Sequence, residues 1–277
     1  MLIVVSPSLH ALDLTVIGGA GNFSFDLSSE EPIGSGEFKG KIYPLGRITV
    51  KDSINETFGY TATAERDPVL RNIISCEMTI NAGYFNFSIG PLLSLFNSRD
   101  DFIRPGISAS LGVEFPGILF ITVGGGGTLG SIPENDHTLE RGRIALGVWL
   151  PNVLSTLSLT GSKFIEADTV TTEDALFRVC YRADVYAKNV PFTVSVEMGY
   201  QNLKRTYRDS AQDGEDSIRE VFLGFETNIS ITPKLILIVG AETPVFVWGK
   251  SPLTKAKGIW YFRAFTGITW IFDNSKV

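Results

Sequence analysis

Two histidines, His10 and His137, are all that this sequence offers to hydrolytic chemistry that draws a proton from a nucleophile. A nucleophilic serine needs an imidazole base held in place by a carboxylate or a similar group. Only His137 has such company, with Asp136 beside it and Ser131 close by. That stretch is polar and reads as a loop, where such neighbours meet by composition alone, so catalysis is not expected. No histidine, cysteine or carboxylate cluster has the spacing of a metal site, and no cofactor is expected. Gly124 to Gly127 are not a phosphate loop, because no Lys-Ser/Thr follows them. Glycines in such a segment fit a bend or close packing against a neighbouring side chain. Cys76 and Cys180 read as free thiols on opposite faces, with no CxxC pattern.

The chemistry the chain does carry is charge at regular intervals. Lys39, Lys41, Arg47, Lys51, Arg143, Arg178 and Arg182 are basic, with Arg263 on the last segment, and Glu77, Glu197, Glu226 and Glu242 are acidic. All fall on the polar face of segments that alternate residue by residue. Arg47, Arg143, Arg182, Glu197, Glu226 and Glu242 lie at similar distances from the tight turns, near mid-segment. If those faces line a pore, the acidic residues of the eleventh to thirteenth segments oppose basic ones elsewhere round the ring. A transverse field would then order water and orient polar solutes. The competing reading is that adjacent charges pair and fill the lumen.

The segments that must position these residues have period two. They run Asp13–Asp26, Glu37–Ser53, Glu56–Arg66, Asn72–Asn81, Tyr84–Phe96, Phe102–Phe115 and Ile118–Leu129, then Arg141–Leu150, Val153–Ala167, Glu173–Ala187, Phe192–Tyr207, Ser217–Ile231, Leu235–Trp248 and Ile259–Phe272, fourteen in all. Short turns such as Pro116-Gly117 and Pro151-Asn152 alternate with longer loops such as Leu27–Gly36, Gly130–Glu140 and Arg208–Asp216. In the cleanest segment, Ile103, Ile107, Leu111 and Val113 alternate with Arg104, Ser108, Ser110 and Gly112.

Alternation alone does not say which face is inside. The polar faces are rich in Ser, Thr and Gly, whereas water-exposed surfaces favour dense Lys and Glu. Fourteen strands also make a wider ring than side chains fill unaided, since about eight suffice for a packed interior. No apolar run reaches the roughly 18 residues of a spanning helix, so a membrane-embedded chain of this kind must be a closed barrel. The expected fold is therefore all-β, a transmembrane antiparallel up-and-down β-barrel. A net charge of −6 speaks against a nucleic-acid partner, which would call for a basic face.

The final segment, with Trp260, Phe262, Trp270 and Phe272 at the two ends of one face, places aromatic rings where headgroups would lie. Here the chain resembles bacterial outer-membrane β-barrels, and in strand number, size and loop length it resembles monomeric fourteen-strand porins. The resemblance implies periplasmic turns, extracellular loops, contact with outer-membrane lipid, and passage of ions or small polar solutes. It also implies an assembly signal at Trp270 and Phe272, read by the barrel assembly machinery. The candidate pore-lining set is Arg47, Glu77, Arg143, Arg178, Arg182, Glu197, Glu226, Glu242 and Arg263. Residues 12–277 are expected to form one domain, with Met1 to Ala11 either the tail of a signal peptide or a short apolar strand. The alternatives are a plugged barrel with an adhesive or structural role and, less favoured, a lipid-modifying outer-membrane enzyme.

Overall fold

The computed structural model describes residues 11–21, 42–67, 71–95, 103–130, 136–167, 171–187, 189–208, 213–249 and 262–273. They form fourteen strands. The first seven are β1 (Ala11–Gly21), β2 (Tyr43–Ser53), β3 (Phe58–Asp67), β4 (Arg71–Ala82), β5 (Phe85–Leu95), β6 (Ile103–Phe115) and β7 (Leu119–Thr128). The others are β8 (Asp136–Leu150), β9 (Val153–Ala167), β10 (Thr171–Tyr186), β11 (Phe192–Arg208), β12 (Asp213–Thr232), β13 (Leu235–Gly249) and β14 (Arg263–Asp273). Each pairs antiparallel with its sequence neighbours, and β1 pairs with β14 from Ala11–Asp273 to Gly21–Arg263, so the sheet closes on itself. Across that seam the Thr15 and Thr269 hydroxyls lie 2.9 Å apart.

The ring is apolar outside and polar inside, the reverse of a water-soluble barrel. Met78 and Met198 are each 54% exposed, whereas Ser108 and Ser195 are 2% and 0%. Near the tight turns the outer face carries Phe85, Phe115, Phe192, Trp270 and Phe272, and the rings of Trp270 and Phe272 stack at 5.3 Å. Amphipathic and aromatic side chains at this level suit a membrane interface.

Local chemistry explains the turns. Asn55 Oδ1 accepts hydrogen bonds from the backbone N–H groups of Thr57 and Phe58, both at 2.8 Å, and reverses the chain between β2 and β3. Gly83 and Gly117 take φ of 62° and 72°, which the tight turns after β4 and β6 require. In β13, Pro244 sits beside a register shift opposite Val221 and Phe222, where its missing N–H is tolerated and where Val247 is turned to the inner face.

Several boundaries differ from the sequence reading. β8 begins at Asp136, not Arg141, because His137 and Leu139 are buried on its inner face while Asp136 to Glu140 pair with β9. β12 begins at Asp213, so the expected loops Gly130–Glu140 and Arg208–Asp216 are shorter than their polarity suggests. β1 begins at Ala11, two residues before the expected Asp13, and is described to Gly21, the rest of the expected Asp13–Asp26 lying outside the described residues; β2 is described from Tyr43. Met1 to His10, Lys39, Lys41, Ser131, Trp260 and all of Leu27–Gly36 lie outside the described residues.

The described strands differ in length round the ring. β1 to β7 contain between 10 and 13 residues, whereas β8 to β13 contain between 15 and 20. A tilted strand crosses a bilayer in about 9–11 residues. Toward the loops the outer face of the longer strands turns from Phe177 and Tyr181 to the ion pairs Lys163–Glu173 (3.3 Å) and Lys204–Glu215 (3.0 Å).

The four glycines of β7 are a packing device. A Cβ on Gly124 would lie 2.8 Å from that of Ser110, and one on Gly126 would lie 2.9 Å from that of Ser108. Small inner residues on β6 and β7 let the wall bend sharply, so that β5 and β7 approach although they are not paired. Gly126→Val is expected to overpack this bend and destabilise the barrel by about 1–3 kcal/mol. The check is a lowered melting temperature of the folded, heat-modifiable band in gel electrophoresis.

Candidate lumenal site

The barrel encloses a cavity of about 940 Å³. Arg47 of β2, Glu77 of β4 and Arg143 of β8 line it on one side. Arg178 and Arg182 of β10, Glu197 of β11, Glu226 of β12, Glu242 of β13 and Arg263 of β14 line it on the other. Every residue of the candidate pore-lining set thus faces one space, though not as a ring of free charges.

The residues on β10 to β13 are knitted together. Arg178 holds Glu242 with both ends of its guanidinium, at 2.7 and 3.0 Å, and donates to Gln201 Oε1 at 3.0 Å. Its Nη2 also lies 3.4 Å from Glu197. Arg182 donates to Glu197 and Glu226, both at 2.8 Å, to Ser195 Oγ at 2.7 Å and to Asp184 at 2.6 Å. Gln201 Nε2 passes the chain on to the Glu220 carboxylate. The register permits this reach: Glu197 of β11 pairs with Gly224 of β12, and Gly224 with Glu242 of β13. A Cβ on Gly224 would stand 3.2 Å from that of Glu197. Arg178 also lies 3.9 Å over the Phe222 ring, a cation–π contact.

The opposite wall is sparser. Arg141 of β8 meets Glu65 of β3 at 2.7 Å, joining strands that are far apart in the sheet order and so bridging the lumen. Beside that bridge lies a recess of about 230 Å³ lined by Arg47, Thr49, Thr61, Thr63, Ser75 and Glu77. Arg47, Glu77 and Arg143 form no ion pair with any described residue. The cavity therefore has four arginines against two carboxylates on the wall of β2, β3, β4 and β8, and two arginines among five carboxylates on β10 to β13.

Sequence reasoning missed Glu65, Arg141, Asp184, Gln201 and Glu220. Parity could have found Glu65 and Asp184, which share the inner phase of residues already singled out. Arg141 was obscured by placing a loop up to Glu140. Asp174 and Arg205, a buried pair with two contacts of 2.6 Å near the loop end of β10 and β11, fell like Glu220 inside the expected segments and share their inner phase, so parity could have found them as well.

His137 corrects the sequence reading most directly. It lies in β8, not in a loop, with its ring buried, its Nε2 2.9 Å from Ser94 Oγ and its face stacked on Phe164 at 5.5 Å. The cysteines lie as expected, Cys76 exposed and Cys180 buried, both free.

No protein-family model matches the sequence, and no curated protein matches it. Solved structures do. An outer-membrane channel from Pseudomonas putida F1 superposes with a TM-score of 0.55 at 7% identity, over 96% of each chain. A porin matches with a TM-score of 0.45 at 8% identity, over 94% of this chain and 99% of its own. A loop-deletion mutant of OmpT, an outer membrane protein of Vibrio cholerae, matches with a TM-score of 0.43 at 9% identity, over 95% and 100%. With the closed fourteen-strand ring and its apolar exterior, the first of these likenesses makes the fold that of an outer-membrane β-barrel.

The β10 to β13 network predicts its own mutational cost. Removing Arg178 leaves Glu242 and Glu197 in a confined space without their cation, and breaking a buried pair from one side costs about 3–5 kcal/mol. Arg178→Ala is expected to approach the lower end of that range, because the site is partly hydrated, and to exceed the cost of Glu242→Gln. Urea titrations of the folded protein in lipid vesicles measure both.

Proposed function

We propose that this protein is a porin-like channel of a bacterial outer membrane that lets ions or small polar solutes diffuse through its lumen. The observation that carries the proposal is the cavity of about 940 Å³ running between two walls of unlike charge. An interior built only for stability would be filled throughout with apolar side chains, whereas the wall of this cavity also carries arginine, carboxylate and hydroxyl groups. The carboxylate-rich side and the side with unpaired Arg47 and Arg143 give the cavity a transverse field that orients water and dipolar solutes. On this reading the tight turns face the periplasm and the loops the exterior, and the pair Trp270 and Phe272 on β14 is read by the barrel assembly machinery during insertion.

Single-channel recording of the refolded protein in a planar bilayer tests the proposal. Stable steps that scale with salt concentration are expected. A second reading, a closed barrel with a structural or adhesive role, is favoured by buried apolar side chains inside the ring, among them Leu139 and Phe164. Silence from protein that is folded and inserted would select it.

Arg47 and Arg143 are lumenal cations that form no ion pair with any described residue, so they act on solutes more than Arg178 and Arg182 do. Arg47→Glu with Arg143→Glu is expected to move the reversal potential under a salt gradient toward cation preference with little effect on folding. Glu242→Gln, which exchanges a neutralised carboxylate, is expected to move it less.

A further inference from the structure

Ile73 of β4, Leu92 of β5, Leu139 of β8, Phe164 of β9, Leu203 of β11 and Ile218 of β12 form one packed cluster, each between 0 and 2% exposed. All six project from the inner face, where they continue the same alternation as Ser75, Ser94, Arg141, Ser162, Gln201 and Glu220. Leu176 of β10 and Val247 of β13 pack against them. The cluster thus draws on strands from β4 round to β13 and, among the described residues, on none of β14, β1, β2 or β3. Strands so far apart in the sheet meet here because the tight bend at β6 and β7 narrows the ring. His137–Ser94 at 2.9 Å and Arg141–Glu65 at 2.7 Å strut the same narrowing.

The cavity stops against this cluster. Leu176 and Leu203 border both, whereas Ile73, Leu92, Leu139, Phe164 and Ile218 do not line the cavity. On the other side the cavity continues past Tyr43 and Leu45 of β2, and past Phe262 and Arg263, toward the loop ends of β2 and β14. A hydrated ion gives up favourable hydration to enter an apolar constriction, and such constrictions close by excluding water.

We propose that this apolar septum is the size and hydration filter of the lumen: at its own loopward level it withdraws the side of the bore between β4 and β13 from water and confines solutes there to the path beside β14, β1 and β2. The charged array on β10 to β13 then lies alongside the path and tunes it without limiting it. The inference rests on the channel reading and names the part of the lumen that decides what passes.

Two measurements test it. In a background with Cys76→Ser and Cys180→Ser, Ile218→Cys and Arg47→Cys are each treated with a charged, membrane-impermeant methanethiosulfonate reagent in lipid vesicles. Ile218→Cys is expected to react at least about tenfold more slowly than Arg47→Cys, and equal rates overturn the septum. Phe164→Ala, with Leu203→Ala as a second variant should the first not fold, is then compared with the unmodified chain by single-channel conductance and by vesicle swelling in sugars of increasing size. A severalfold rise in conductance and admission of larger sugars are expected. Unchanged conductance and cut-off in a folded variant overturn the filter while the channel reading stands. Silence of both proteins, with Arg47→Cys still labelled, overturns the channel reading and the filter with it.

Discussion

A peptide group without a partner costs several kcal/mol in hydrocarbon, and everything in this molecule follows from meeting that constraint with strands. One open edge would expose a row of such groups, so the pairing of β1 with β14 along their whole length matters more than any single side-chain contact. Once the ring is closed, the pleat does the rest. Alternate residues answer to two solvents, and Ile107 and Leu111 face one while Ser108 and Ser110 face the other. The tight turns serve the same end by joining neighbouring strands without leaving backbone groups to lipid.

Closure creates a second problem, an interior too wide to pack as an ordinary core. This chain answers it unevenly. At mid-wall β6 and β7 have small inner side chains, Ser108, Ser110, Gly124 and Gly126, which lets the wall bend and brings β5 near β8. Beyond the bend, Arg178 and Arg182 gather the carboxylates of β11, β12 and β13, so that like charges on neighbouring strands become a cohesive lattice rather than a source of repulsion. Apolar packing occupies the loopward part of the interior, and hydroxyls and unpaired arginines line what is left. The interior is therefore partitioned, with separate regions held by dispersion, by ion pairing and by hydration.

The strand series was legible in the sequence for a physical reason: lipid and lumen demand opposite surfaces from successive residues, and Ile103 to Phe115 records that demand without interruption. The inner position of Arg47, Glu197 and Glu242 followed from the same parity. What local reading missed depends on the ring as a whole. Arg141 and Glu65 lie on β8 and β3, and nothing in the window around either residue announces the other. Leu92 is a single apolar residue on the polar inner face of β5, Leu139 and Ile218 stand between polar inner neighbours on β8 and β12, and only closure gathers them into a cluster. Asp136 to Glu140 read as loop because its polarity was taken for exposure to solvent, although His137 and Leu139 point inward and are buried.

The long strands of one flank have a use beyond crossing the bilayer. From β8 to β13 the sheet continues past the level at which its outer face changes from aromatic to ion-paired side chains. Above that level lipid no longer supports the wall, and it stands by its own ladder of backbone pairs and by surface charges that hold neighbouring strands together.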